Sequence, residues 1–181
     1  MPTSALSPSP DELKQEVLDW LVRMTPAPCP AQARFSVTLT FDQRKMLKHS
    51  WSGTLTTTEA LRFAKSSFAR FRMSLDRKIL KNAASRNGRE LVYVPVIEGQ
   101  NPGEAIHYHC VIVAPSWVTP DQMSAAIKDA WIGTGFAGFE IDVQPMRDDG
   151  WLAYMSKRAW NVNQDCVDID NVRLGTPPER C

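Results

Sequence analysis

Two histidines stand one residue apart, His107 and His109, inside the run Ile106, His107, Tyr108, His109, Cys110, Val111, Ile112, Val113. β-Branched, aromatic and small apolar residues in a run of this length read as a buried strand. Residues i and i+2 of a strand point to the same face, so two imidazoles project side by side from one rigid element. Neutral imidazole is the commonest protein ligand for a metal ion. A nearby carboxylate would complete a three-ligand site with open positions, as a catalytic metal requires. Glu98 ends the preceding apolar run, and a turn over 99–103 returns the chain from it to the histidines. Downstream, Tyr154 and Lys157 are three residues apart and share one face of a helix. A phenol with a pKa of about 10 is a poor nucleophile unless its charge is stabilised. A cation one turn away does that, and also neutralises charge growing on a phosphate. Each pattern is common by itself, but two of the chain's three histidines are in this one strand.

The elements that must position these groups follow from periodicity. Residues 1–10 are rich in Pro and Ser and read as disordered. Asp11 to Met24 reads as an amphipathic helix with Val17, Leu18, Trp20 and Leu21 in its apolar stripe. The TPAPCPA stretch that follows cannot continue a helix, because proline lacks an amide donor and fixes φ. It reads as a linker, which makes the first helix an appendage. Arg34 to Phe41 alternates Phe35, Val37, Leu39 and Phe41 with Ser36, Thr38 and Thr40, a half-buried strand whose threonines shape the floor of the site. Asp42 to Gly53 reads as a basic loop, and 56–85 as one long helix. Leu91 to Ile97 is a strand with Pro95 at an edge position or bulge. Thr119-Pro120-Asp121-Gln122 is a capped helix start. Phe139 to Val143 alternates as a strand, Trp151 to Trp160 is a helix, and Cys166–Ile169 is a possible short strand. The predicted order, (α)-β-α-β-β-α-β-α, points to an α+β fold: a central antiparallel sheet with packed helices, ferredoxin-like or RRM-like. The predicted division is 1–33 as helix and linker, 34–160 as the main domain and 161–181 as a tail.

The chain has 181 residues, 43% hydrophobic and 23% charged, which is ordinary for one globular domain. No apolar run approaches the roughly 20 residues of a membrane span. No signal peptide is evident at the start, and Cys29, Cys110, Cys166 and Cys181 have no framework spacing. The expected compartment is the reduced cytoplasm, with no membrane partner. Net charge is only +1, yet the segment from Arg44 to Arg89 has twelve basic residues against Glu59 and Asp76. A local basic surface is the footprint of a phosphate-backbone partner, although a basic helix is more often a solvated face. Arg44, Lys45 and Lys48 beside Trp51 suit single-stranded nucleic acid, since charge tracks phosphates and rings stack on bases. Arg62 and Lys65 on the following helix extend that surface.

Three motifs in order resemble those of the HUH endonucleases, and within them the single-tyrosine rolling-circle replication initiators. They are the strand Phe35–Phe41 (FSVTLTF), His107-Tyr108-His109, and Tyr154-Met155-Ser156-Lys157 on a helix. The relaxase branch places its tyrosine before the histidines, and the related transposases usually carry a glutamine on the tyrosine helix. The resemblance spans about residues 34–160. It implies a metal site of His107, His109 and an acidic residue closing the preceding strand before a glycine, which Glu98-Gly99 fits. Glu104 is the alternative. It implies Mg²⁺ or Mn²⁺ as cofactor, although these residues also suit Zn²⁺. It further implies Tyr154 as nucleophile, Lys157 as its charge partner, single-stranded or hairpin origin DNA as substrate, and host replication proteins as partners. A related transposase or relaxase, a non-catalytic RRM-like binder and a zinc hydrolase are the rival readings.

Overall fold

The computed structural model describes residues 10–25, 33–101, 103–162 and 166–175, without the side chains of residues 10, 11, 13, 14 and 157–162. The expected disordered start up to residue 9, most of the TPAPCPA linker and the tail beyond 175 lie outside the described residues. Five strands form one antiparallel sheet: β1 (Ala33–Phe41), β2 (Val92–Glu98), β3 (His107–Ala114), β4 (Ala137–Pro145) and β5 (Arg173–Leu174), in the order β4-β1-β3-β2-β5. The first four are joined as β-α-β-β-α-β, the split arrangement of ferredoxin-like folds, so the α+β expectation holds. The long helix α3 (Thr57–Leu80) and α5 (Pro120–Ile132) supply the two crossovers.

Alternation along the strands sorts the sheet into two faces. Phe35, Val37, Leu39, Tyr93, Tyr108, Cys110 and Ile112 are fully buried with Phe68, Phe71 and Leu75 of α3 and Ile127 and Trp131 of α5. The opposite face carries Val94, Val96 and Val111, buried beneath Leu152 and Met155 of α6 (Gly150–Val162) and Leu21 of α1 (Pro10–Met24). The first helix, expected as an appendage, joins this second core. Its Val17, Leu18, Trp20 and Leu21 pack with α6 in this second core, because a stripe of that width must bury itself against something.

Local chemistry sets the boundaries. Thr56 and Thr119 begin α3 and α5 with reciprocal capping boxes to Glu59 and Gln122. The single helix expected over 56–85 is divided at Lys81, whose φ of 50° is left-handed, into α3 and a short α4 (Asn82–Asn87). The expected loop after β1 contains a helix, α2 (Gln43–Lys48). The Asp42 side chain accepts from the backbone N–H of Arg44 and Lys45, and Met46 anchors the turn in the core. Pro95 directs its backbone toward the outer side of β2, where its carbonyl accepts from Asp168 N. A missing amide is tolerated there.

The segment after α6 closes that outer edge. Val167 bridges to Val96, a 3₁₀ turn spans Ile169–Asn171, and β5 pairs with Val92 and Tyr93. Asp168 is completely buried, and its Oδ2 accepts from the Tyr108 hydroxyl at 2.6 Å and from Asn171 Nδ2 at 2.7 Å. Burial, with the Asp168 charge beside it, pushes the Tyr108 phenol far above its ordinary pKa. Replacing Asp168 by Ala orphans a buried hydroxyl. The expected cost is about 1–3 kcal/mol in urea unfolding, against a few tenths for Ala at the exposed Asp170.

Candidate metal centre and nucleophile

Register places the candidate ligands. Glu98 at the end of β2 is paired across the ladder with His107, and His109 is paired with Val96 on one side and Thr38 on the other. The three side chains thus share the face that carries the second core, at the end of the sheet where β1 finishes. Each offers one ligand atom, all within 4.8 Å of one another. Both imidazole Nε2 atoms face the same carboxylate oxygen, Glu98 Oε2, at 3.6 Å from His107 and 3.5 Å from His109. These contacts are long for hydrogen bonds. They lie at the upper end of the spacing of two donors held about 2.0–2.2 Å from one ion at octahedral to tetrahedral angles, roughly 2.8–3.6 Å.

The outer groups fix which nitrogen is presented. His107 Nδ1 donates to the Ala105 carbonyl at 2.9 Å, which leaves the lone pair on Nε2. His109 Nδ1 is 3.1 Å from the Thr38 hydroxyl, and its Nε2 is buried without a hydrogen bond among the described residues. A buried ring nitrogen left without a hydrogen bond, in the tautomer whose proton is on Nδ1, fits a cation. Burial alone would raise the Glu98 carboxyl, but hydrogen bonding and positive charge from the two facing imidazoles in their protonated form outweigh it and hold its pKa down at about 2. As a donor set the cluster would offer two imidazole nitrogens and one carboxylate oxygen. It fits a divalent ion that retains open positions.

Glu104 is not part of this set. It is exposed on the β2–β3 turn and accepts from Asn101 Nδ2. Gly99 makes the turn possible. Its φ is +78°, and a Cβ there would lie 2.1 Å from the Ala105 oxygen, the acceptor that orients His107. Gly99→Ala must displace that carbonyl. Manganese affinity is expected to fall about 10- to 100-fold, the range for lost outer-shell support, in a calorimetric titration of the folded variant.

The tyrosine comes from α6, which lies across the same face. The Tyr154 ring packs edge-on against His109, with 5.4 Å between centroids, and stacks on Trp151 at 5.2 Å with 20° between planes. Trp151 itself meets His109 edge-on at 5.1 Å. Tyr154 keeps 39% of its surface exposed, so the phenol is both anchored and reachable. Lys157 follows one turn along α6, and its side chain lies outside the described residues. Trp151 was missed in the sequence, although its place three residues before Tyr154 puts it on the same helical face. Beside the ligands opens a cleft of about 500 Å³, lined by Thr38, Thr40, Glu98, His107, Glu104 and Glu140 among others.

A protein-family model, replication-associated protein ORF2/G2P, matches residues 34–159, from the start of β1 to the late turns of α6. The chain belongs to this family. No curated protein and no solved structure matches it significantly. Membership in the ORF2/G2P family places the chain among DNA replication proteins, and the matched stretch contains the metal cluster and the tyrosine together. Among the described residues no helix is long and apolar enough to cross a membrane.

The six residues expected to bind DNA divide into two groups. Arg44, Lys45 and Lys48 are exposed on α2, which leaves the sheet at the end where β1 meets His107, and Trp51 just beyond is 95% exposed. Arg62 and Lys65 are on α3, which packs on the face opposite the histidines. Arg62 is exposed, with its guanidinium over the Phe63 ring. Lys65 is 3.0 Å from Asp170 and 3.8 Å from Asp168. Elsewhere in the basic run, Arg72 pairs with Glu90 and Lys78 with Asp129. Part of the positive charge legible in the sequence is therefore balanced within the fold.

Proposed function

We propose that this chain is a single-tyrosine replication initiator of the HUH type, which cuts and rejoins one DNA strand. Tyr154 is its nucleophile, and Glu98, His107 and His109 hold a Mg²⁺ or Mn²⁺ ion. The observation that carries the reading is the packing of the Tyr154 ring on His109, which brings a phenol from α6 to the ligand cluster on the sheet. When bound, the ion supplies Lewis-acid polarisation of a phosphoryl oxygen. The protein's own groups do the rest. Ala105 and Thr38 orient the two imidazoles, Glu98 contributes a permanent negative charge, and Trp151 holds the nucleophile's ring.

The Tyr154 oxygen attacks phosphorus in line. A phenolic O–P bond forms as the bond from phosphorus to the 3′-oxygen breaks. The phenol gives its proton to solvent, and the departing 3′-oxygen takes one up. The products are a 5′-phosphotyrosine and a free 3′-OH. One phosphoester linkage replaces another, so the strand can be resealed, and the 3′-OH can prime a host polymerase. Lys157 counters charge on the phenolate or phosphate. Arg44, Lys45, Lys48, Trp51 and Arg62 hold single-stranded or hairpin origin DNA with an affinity that falls as salt rises. Lys65 stays with its acidic partners. The expected site of action is the cytoplasm, where the buried thiols Cys110 and Cys166 remain reduced.

The test is a denaturing gel of the protein incubated with single-stranded oligonucleotides tiling its own replicon, in Mn²⁺ or in EDTA. The expected result is an SDS-resistant protein–DNA adduct in Mn²⁺ only. Binding without an adduct would replace this reading with a non-catalytic nucleic-acid module. Cleavage without an adduct would replace it with a metal-dependent hydrolase.

A further inference from the structure

The largest irregularity in the sheet lies beside the candidate site. Strand β4 pairs Ile141 with Leu39 and Ala137 with Phe41, so Gly138, Phe139 and Glu140 together stand opposite Thr40 alone. On its other side Thr40 is paired with His107. The bulge is therefore two strands from a metal-ligand candidate, about 10 Å at the usual strand spacing.

It is a built feature. The Thr40 hydroxyl donates to the Glu140 carbonyl at 2.6 Å, and the Thr40 carbonyl accepts from Trp131 Nε1 at 3.0 Å. A Cβ on Gly138 would lie 2.5 Å from Thr40 Oγ1 and 3.0 Å from the Thr40 carbonyl carbon, so only glycine fits. The residue this bulge presents is Phe139, 98% exposed. A phenylalanine left in water contributes nothing to the core, and bulges commonly re-aim a side chain next to an active site.

We infer that Phe139 is a stacking platform for a base of single-stranded DNA at the β4 edge of the sheet, a positioning contact that rests on the function proposed above. The chemistry around it favours a base over the backbone. Glu140 and Asp142 follow the ring on the same strand, and Glu140 lines the cleft beside the ligands. Carboxylates there repel phosphate, whereas every base offers a π-face to a ring. Cationic contacts belong instead to α2, which leaves β1 just after Thr40 and carries Arg44, Lys45 and Lys48. A strand bound in this way has its phosphates drawn toward α2 and the ligand cluster and one base turned onto the edge of β4.

The test compares wild type, Phe139→Ala and Phe139→Trp in Mn²⁺ by fluorescence anisotropy. One labelled probe is an oligothymidylate of about 15 nucleotides, within reach of one small domain. The second is an abasic strand of the same length, with the phosphates kept. Phe139→Ala is expected to weaken oligothymidylate binding about 5- to 100-fold, and Phe139→Trp to restore it. The abasic probe should show no difference between the proteins. The salt dependence should keep its slope, since no phosphate contact is lost. Thermal melting should not change, because the side chain packs on nothing. Equal affinity of wild type and Phe139→Ala for oligothymidylate overturns the inference and leaves the proposed function standing. So does an equal loss on the abasic probe. Intact DNA binding with a fall in sedimentation coefficient assigns the ring to contact between protein copies and also overturns it. Failure of wild type to bind either probe removes the proposed function and this contact with it.

Discussion

Tyr154→Phe is expected to abolish the covalent protein–DNA adduct while leaving the protein otherwise intact. The substitution removes one oxygen and keeps the ring. The stack on Trp151 and the edge contact with His109 involve only the ring, so both survive. The side chain is 39% exposed, and the stability change should stay within about 0.5 kcal/mol. Manganese affinity should be unchanged, because the phenol is not among the clustered ligand atoms. Phenylalanine offers no lone pair to phosphorus, so adduct formation should fall to the detection limit. The gel described above reads this directly, with a manganese titration and a melting curve on the same preparation. If the variant still cleaves DNA at an unchanged rate, water is the nucleophile and the tyrosine is a wall of the site. If the adduct persists, another residue carries it and the role of α6 is mistaken.

Glu98→Gln is expected to have the second large effect, on the metal. Glutamine keeps the size and one acceptor oxygen but removes the charge. That charge is secure in wild type, since the facing imidazoles keep the carboxyl ionised far below neutral pH. A divalent cation in a buried three-donor cluster loses its single formal counter-charge. Affinity should fall by more than about 100-fold, beyond the 10- to 100-fold usual for outer-shell changes. Ligand binding raises melting temperature by mass action. Saturating Mn²⁺ should therefore raise the melting temperature of wild type and leave Glu98→Gln where it was. The variant should retain salt-dependent DNA binding, because its cationic surface on α2 is untouched. Undiminished Mn²⁺ affinity in Glu98→Gln would remove the carboxylate from the metal set. The same titration on Glu104→Gln should resemble wild type, since that residue faces Asn101 across the turn.

Much of the site was legible because strands have a period of two and their consequences are local. The spacing of His107 and His109 predicts a shared face, and Glu98, with Glu104 as the alternative, is the acidic residue that closes the neighbouring strand beside them. The capped starts at Thr56 and Thr119 were equally local. What escaped were long-range matches. Nothing in the first helix reveals that Leu21 will meet Leu152 across the sheet. The division of the long helix at Lys81 rests on one left-handed residue that is not glycine. The bulge at Gly138–Glu140 interrupts an alternation that read as a regular strand, because its cause is Thr40 on the neighbouring strand. Lys65 counted as free positive charge in the sequence, yet Asp170 lies 105 positions later and beside it in space. Local rules see propensity and spacing; partners of this kind exist only after the chain has folded.

Strand β3 has a role beyond presenting two imidazoles. Between them stands Tyr108, which points to the other face and ends in its hydrogen bond to the buried Asp168. A slip of one residue in pairing would exchange the two sets. It would push both imidazoles into an aromatic core and carry a phenol into the ligand cluster. Each face therefore proofreads the other. A mispaired chain loses its buried hydrogen bond and its clustered donor atoms in the same error. A folded chain with a competent core arrives with its ligands already aimed. For the DNA cutting proposed above, this makes the assembly of the ligand cluster a by-product of correct strand pairing.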